Sequence, residues 1–500
     1  MPADFTPKPP PGRESQSERG AIPPAHPGGH LMRHINLMMA ALLLSTSVTA
    51  APVKHPARTV AKPAAKAVPV APAKIAPLPD TAEITELRRA FQFAFPIYEI
   101  MRTRSLQLGK ARAAGLPDAV NVMLPRATLA DASSREVTTP NNDTLYGSLW
   151  LDLSAGPVVV TIPPLAGRYN SAALYSLTTD VGAILGSRTG GNGGRYAIVG
   201  PGYNGPTPAG TETIRSATND AWLLVRVLVK GPDDVTAAAE ALKGYTVEAS
   251  GTPVPAMADV PVAPDAKTFL AVVNEALARS AANSELTAKA NGYAPLGLTS
   301  GWDGLTPEAK ALWTRSLPGL RAELRNGLAD AGDVVQGWSY PKFAIGNFGD
   351  DDTLRAQVAL GGLGALPRIE AMYLSARTDK DGAALEGSKA YTAHIPAGVP
   401  TGAFWSVTMY QQEPDGRLFF VPNALNRFAL GDHAPPLRSN HDGSYDIFIQ
   451  ATPPGGERVV NWLPAPRGKF VLVFRGYLPR AQFLDGSFRL PPVVASEVIP

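Results

Sequence analysis

Short apolar runs, cut every few residues by proline or glycine, are what most restrict the folds open to this chain. It holds 49 prolines and 47 glycines among 500 residues. Proline removes a backbone donor and glycine supplies turn geometry, so such punctuation favours many turns and a loop-rich β protein. The length suffices for two or three domains, each with its own core. The segments 148–153, 158–162, 171–177 and 196–199 read as short strands bounded by Gly, Pro, Asn or Asp. The run 222–229 is apolar on both faces apart from Arg226, the pattern of a central strand.

Helical periodicity enters in two places. Asp80 and Glu83 form a capping pattern, and Ile84, Leu87, Phe91 and Phe95 follow at helical spacing until Pro96, where the helix should kink or end. Between 262 and 335 the spacing predicts helices over 267–281 and 307–329, the second bent or split at Pro318–Gly319. Further helices are expected over 352–360 and 367–376. From 391 onward strands return: Trp405, Val407 and Met409 alternate with polar residues, Tyr445, Ile447 and Ile449 share one face, and 469–477 places Phe470, Leu472 and Phe474 together. The fold expected is α+β: a β-rich N-terminal domain over 80–260, a helical connecting layer over 261–385, and a C-terminal β-sandwich of jelly-roll type over 386–500. The segments 158–169 and 459–470 also echo one another as strand, proline break, glycine turn, basic residue and aromatic, which suggests two duplicated hairpins.

The N-terminal stretch reads as an address. Residues 1–31 are polar and aperiodic, and Met32 is a plausible true start. Met32, Arg33 and His34 precede a short apolar run that ends in small residues around Ala50. This is the order of a signal peptide, 32–50, and the run is too short to span a bilayer. A Pro/Ala/Lys-rich linker over 51–79 follows. The expectation is an exported protein, periplasmic or secreted, with no transmembrane span after signal removal. The chain has no cysteine, which excludes disulfides, thiolate nucleophiles and Cys-ligated metal. Its formal charge of +3 comes without a concentrated basic patch, so no nucleic-acid partner is expected.

Two polar constellations could carry chemistry. The first gathers Asn141, Asn142, Asp143, Thr144 and Tyr146, then Arg168, Tyr169, Ser187 and Arg188. If their strands lie side by side, Asp143 can act as a general base, Tyr146 as an acid, and Arg168 and Arg188 can hold a substrate carboxylate or phosphate. The competing reading is structural, with Asn-Asn-Asp making a turn and Asp143 pairing an arginine. The second constellation holds Trp405, Tyr410, Asn423, Asn426, Arg427, Asp442, Asn461 and Trp462, residue types that suit a sugar ring by stacking and hydrogen bonding, or else a core tryptophan with satisfied turn residues. No nucleotide fingerprint or serine elbow occurs: Gly190–Gly194 lacks the Lys-Ser/Thr ending. No cofactor is expected. His433 and His441, with Asp432 and Asp442, read as loop residues more than as a metal set.

The stretch from Thr139 to Tyr146, continuing through Trp150-Leu151-Asp152-Leu153, with Gly167-Arg168-Tyr169 and Gly186-Ser187-Arg188-Thr189, resembles domain of unknown function 1254. The stretch from Gly402 to Tyr410, with Asn426-Arg427, Asp442-Gly443-Ser444 and 461–466, resembles domain of unknown function 1214. The resemblance covers roughly 85 to the C-terminus. It implies an α+β N-terminal domain and a jelly-roll-like C-terminal one, and supplies no reaction. The functional expectation is an exported enzyme, a hydrolase or lyase acting on a small polar or carbohydrate-like substrate. The alternative is a non-catalytic periplasmic ligand-binding or envelope-interaction protein. A glycan ligand and a homo-oligomer both stay open.

Overall fold

The structure, a computed structural model, describes residues 77–497 apart from Met257, Ala258, Asp415 and Pro436. The segments read as signal peptide and linker lie outside the described residues up to position 76. The described chain is mixed α+β, with four sheets and a helical layer. Among the described residues no helix is long and apolar enough to cross a membrane.

The N-terminal region has two sheets. A five-stranded antiparallel sheet runs in the order Met123–Arg126, Thr144–Asp152, Asp220–Leu228, Asn170–Ser176, Val181–Gly186. Its middle strand, Asp220–Leu228, is buried throughout, as its two-sided apolar pattern requires. A four-stranded sheet, Glu212–Arg215, Gly194–Val199, Val158–Ile162, Thr246–Ala249, packs on one face of it. Strand alternation sends Leu223, Val225 and Val227 toward that smaller sheet, in one core with Val158, Val160 and Ile162. Trp222 and Leu224 point the other way, into a core shared with the helices.

The helical layer combines the Ala82–Ala113 helix with Ala266–Arg279, Pro307–Asn326 and Asp352–Gly362. Three sequence expectations need correction here. Thr81, not Asp80, caps the first helix, its hydroxyl accepting from the Ile84 amide. That helix continues through Pro96 to Ala113, and the later one continues through Pro318. The reason is burial: Phe93, Phe95, Ile97 and Tyr98 all sit in the core around Pro96, so tertiary packing outweighs the one backbone bond that proline forfeits. Third, 367–376 is not helical. Ala371–Ala376 is a strand whose Met372, Leu374 and Ala376 face one core while Tyr373 and Ser375 face away.

The C-terminal region is β-rich. A seven-stranded sheet has the path Gly332–Val335, Trp338–Pro341, Ala371–Ala376, Phe470–Tyr477, Trp405–Gln412, Leu418–Phe419, with Ala429–Gly431 also on Trp405–Gln412. A four-stranded sheet, Trp462–Pro464, Tyr445–Gln450, Ala390–Ile395, Val494–Ser496, shares a core with it built from Val407, Met409, Leu472, Phe474, Ile447 and Ile449. The suggested hairpin duplication does not hold. Val158–Ile162 pairs antiparallel with two neighbours, whereas Trp462–Pro464 is an edge strand parallel to Tyr445–Gln450.

Buried charge ties the helical layer to the five-stranded sheet. Arg279 reaches Asp220 at 2.5 Å and Asp152 at 3.3 Å, and Arg104 reaches Asp220 at 2.6 Å. Burial opposes the Asp152 charge, but bonds from Ser154 and the Val254 amide, with Arg279, hold its carboxyl below the ordinary value. The Arg168 fork does the same for Asp234, against a smaller effect of burial. A group with a lowered folded-state pKa stabilises the fold above its unfolded value, near 4, and gives that up as pH falls through the folded one. The urea midpoint is therefore expected to be flat from pH 7 to about 5 and to fall steeply below about 4.

Candidate functional site: a cationic cavity between the two large sheets

The outer faces of the two large sheets meet around a cavity of about 710 Å3. Register decides which side chains reach it. On the N-terminal sheet, Tyr146 lies opposite Arg226, Ser148 opposite Leu224, and Trp150 opposite Trp222, the two indoles stacking at 4.8 Å. On the C-terminal sheet, Phe470, Leu472 and Phe474 enter the inter-sheet core, so Val473, Arg475 and Tyr477 take the opposite face with Tyr373 and Ser375. The end of the first helix, the 124–141 segment and the turn at 361–365 complete the wall.

The wall is strongly cationic. Lys110, Arg126, Arg226, Arg377 and Arg475 line it, and Glu136 is the one acidic residue among the described lining residues. Glu136 pairs Lys110 and lies 3.9 Å from Arg126. Arg475, 3% exposed, donates to Thr408 at 2.7 Å, Tyr410 at 2.6 Å and the Thr139 carbonyl at 3.2 Å. Arg226, 4% exposed, donates to the Gly364 carbonyl at 2.7 Å, and its Nη1 has no hydrogen-bond partner. Among the described residues no carboxylate forms an ion pair with it. Its guanidinium carbon sits 5.5 Å from the Tyr146 ring centre. Burial pulls the Arg226 pKa down, but the oxygens of Tyr175, Tyr146, Tyr373 and Tyr477 raise it well above its ordinary value. Burial pushes the Tyr373 and Tyr477 phenols up as well, so near neutral pH the arginines are charged and these phenols are not.

Of the residues that sequence assigned to catalysis, only Tyr146 lines this cavity. Asp143 lies beside it, 2% exposed, where one carboxylate oxygen accepts from Ser406 at 2.6 Å and the other lies 3.6 Å from His433 Nε2. Around it Asn141 donates to Tyr477 at 2.7 Å, Tyr410 donates to the Pro140 carbonyl, and the Thr139 amide donates to the Leu418 carbonyl at 2.8 Å. The densest motif of the first family thus meets the Phe404-Trp405-Ser406 motif of the second, clasping the two regions together. Arg168 does not converge with Asp143: it forms a two-pronged pair with Asp234 and also donates to the Leu228 carbonyl. Arg188 pairs Glu370, which is fully buried and also accepts from Tyr169 at 2.8 Å.

The second constellation is spread over separate turns. Asn142, from the first constellation, donates to the Ala130 carbonyl at 2.6 Å. Trp405 is in the core, stacked on Phe474. Asn426 takes φ +47° in a turn, and Arg427 donates to the Val459 and Trp462 carbonyls. Asp442 accepts from the Ser444 amide and hydroxyl, Asn461 bridges Arg438 and Asp446 backbone atoms, and the Trp462 indole donates to Gln450. These side chains bond their own or neighbouring loops, and none of them lines the cavity between the large sheets. The residues that sequence passed over as a site are Arg226, Arg475, Tyr373 and Tyr477. Arg226 had a signal, as the single charge in an otherwise apolar strand.

Fold and site together define a two-region α+β protein with a cationic pocket at the junction of its large sheets. The model for the protein of unknown function DUF1254 matches residues 120–249, and that for the protein of unknown function DUF1214 matches 370–481, in that order. The crystal structure of VPA0106 from Vibrio parahaemolyticus is similar, with TM-score 0.61 and 23% identity over 83% of this chain and 100% of that one. An uncharacterised Burkholderia cenocepacia protein aligns at TM-score 0.40 and 14% identity, over 84% of this chain and 91% of that one. No curated protein matches the chain.

Proposed function

We propose that the protein binds a small organic anion in the cavity between its large sheets, and that it acts after export directed by residues 32–50. The observation that carries this reading is Arg226, a buried guanidinium on the cavity wall with no acidic partner among the described residues. Burying an uncompensated charge is costly, and an anionic ligand supplies the missing partner. The volume lies within the range of roughly 300–1,000 Å3 that drug-sized ligands occupy. Binding fits better than acid–base turnover, because Asp143 is engaged by Ser406 and His433 and does not line the cavity.

A thermal-shift screen tests the reading with alkanoates, aromatic acids, dicarboxylates, phosphate monoesters and neutral sugars as probes. A ligand at 100 times its Kd stabilises the native state by about 2.7 kcal/mol. At least one class of anion is expected to raise the midpoint, and neutral sugars are not. Stabilisation by neutral sugars alone would sink the proposal.

A further inference from the structure

We infer that the anion is an aliphatic monocarboxylate, with its head at Arg226 and its chain along the cavity wall. This inference rests on the anion-binding reading above. The head group follows from which lining cation is both deeply buried and short of partners: Arg226 is buried, whereas Arg377 is half-buried. Lys110 and Arg126 face Glu136, Arg377 reaches Gln412 at 2.9 Å, and Arg475 is held by Thr408, Tyr410 and the Thr139 carbonyl. Arg226 keeps an unpartnered Nη1, which is closed to solvent here and meets a ligand once the side chain turns toward the cavity, and the Tyr146 and Tyr373 hydroxyls on the wall make no hydrogen bond among the described residues. One guanidinium and two neutral phenols match a planar group with one charge and two acceptor oxygens. A phosphate dianion carries more charge and more acceptors than these donors satisfy.

The body of the ligand follows from the rest of the wall. Most polar lining residues are bonded within the protein, the Ser339 and Ser375 hydroxyls being exceptions among the described residues. Gln107 accepts from the Trp150 indole and Ser148 from the Trp222 indole. Thr138 accepts from the Leu418 amide and Thr139 donates to the Gly361 carbonyl. Asn141 donates to Tyr477 and Gln357 to the Gly327 carbonyl. A polyhydroxylated ligand would desolvate its hydroxyls against groups with little to return. The remaining wall is aliphatic, including Leu124, Val137, Leu224, Leu328, Leu363 and Val473. Aromatic side chains on the wall are Trp222 and the three tyrosines Tyr146, Tyr373 and Tyr477, and these lie near Arg226 in the two facing sheets. Between its cationic side chains the wall is mostly hydrocarbon, which suits a carboxylate with an alkyl chain.

Isothermal titration of the full chain with butanoate, hexanoate, octanoate and decanoate provides the test, beside octanamide, octyl phosphate and glucuronate. Affinity is expected to rise roughly fourfold per added methylene until the cavity is filled. Octanamide should bind at least tenfold more weakly than octanoate, and Arg226→Met should abolish that difference. Tighter binding of octyl phosphate, or binding of glucuronate without octanoate, overturns the monocarboxylate assignment and leaves anion binding standing. Equal binding of octanoate and octanamide to the parent protein, or no binding by any probe, overturns both.

Discussion

Asp143→Ala should destabilise the protein by about 3–5 kcal/mol, the range for removing one partner of a buried charged pair. The carboxylate is 2% exposed and serves both regions at once, accepting from Ser406 at 2.6 Å and facing His433 at 3.6 Å. Its charge also supports Arg475, whose pKa burial lowers while Tyr410, Tyr477 and Asp143 raise it. Alanine leaves the buried Ser406 hydroxyl and His433 without their carboxylate neighbour. Asp143→Asn should cost clearly less, since an amide oxygen still accepts from Ser406. A cycle with Ser406→Ala separates this clasp from a local role: the two substitutions should couple by about 1–3 kcal/mol in urea unfolding. Additivity within about 0.5 kcal/mol would mean that the contact does not join the two regions energetically.

Arg226→Met should have the opposite profile, removing anion affinity by about 100-fold or more while leaving stability unchanged or raised. The affinity loss corresponds to roughly 2.7 kcal/mol, within what a charged hydrogen-bonded pair contributes in a desolvated site. The stability expectation rests on the partners of the side chain. Gly364 carbonyl accepts from Arg226 at 2.7 Å but also from Tyr175 at 2.7 Å, so it keeps a donor when the arginine is gone. Among the described residues no carboxylate is left unpaired, and an apolar side chain of similar length fills the space beside Tyr146. Replacing a buried charge by a well-packed apolar residue is often neutral or stabilising. A residue kept at a cost to the fold is the pattern of a functional position. If Arg226→Met unfolds at markedly lower urea than the parent, Arg226 is a structural residue and the ligand reading loses its main support.

Much of the fold was legible from local pattern. Strand 158–162 appears to the residue, and 222–229 is the central strand that its two-sided apolar run implied. Where sequence misled, tertiary packing decided. Pro96 and Pro318 were expected to kink or interrupt their helices, and neither interrupts: both lie inside helices that the core holds together. Ala371–Ala376 has helix-compatible residues but is recruited by pairing with Phe470–Tyr477. The site was harder to see, for a different reason. Asn141, Asn142 and Asp143 form a dense polar motif that reads equally as an active site or as a clasp. The residue that settles its geometry, Ser406, lies 263 positions away. Arg168 and Arg188 likewise find Asp234 and Glu370, partners that no local spacing reveals. The cavity forms only when two sheets from distant segments face each other, so Tyr373, Arg475 and Tyr477 carried no joint signal. Arg226 alone stood out, because a single charge in a buried strand needs a reason.

A bromide soak tests the cavity as an anion site without assuming a ligand. Crystals of the protein soaked in bromide would be measured at the bromine absorption edge. The account predicts an anomalous peak inside the cavity, in contact with Arg226 and the Tyr146 and Tyr373 hydroxyls. Peaks confined to lysines and arginines on the outer surface, with the cavity empty of bromide, would contradict it.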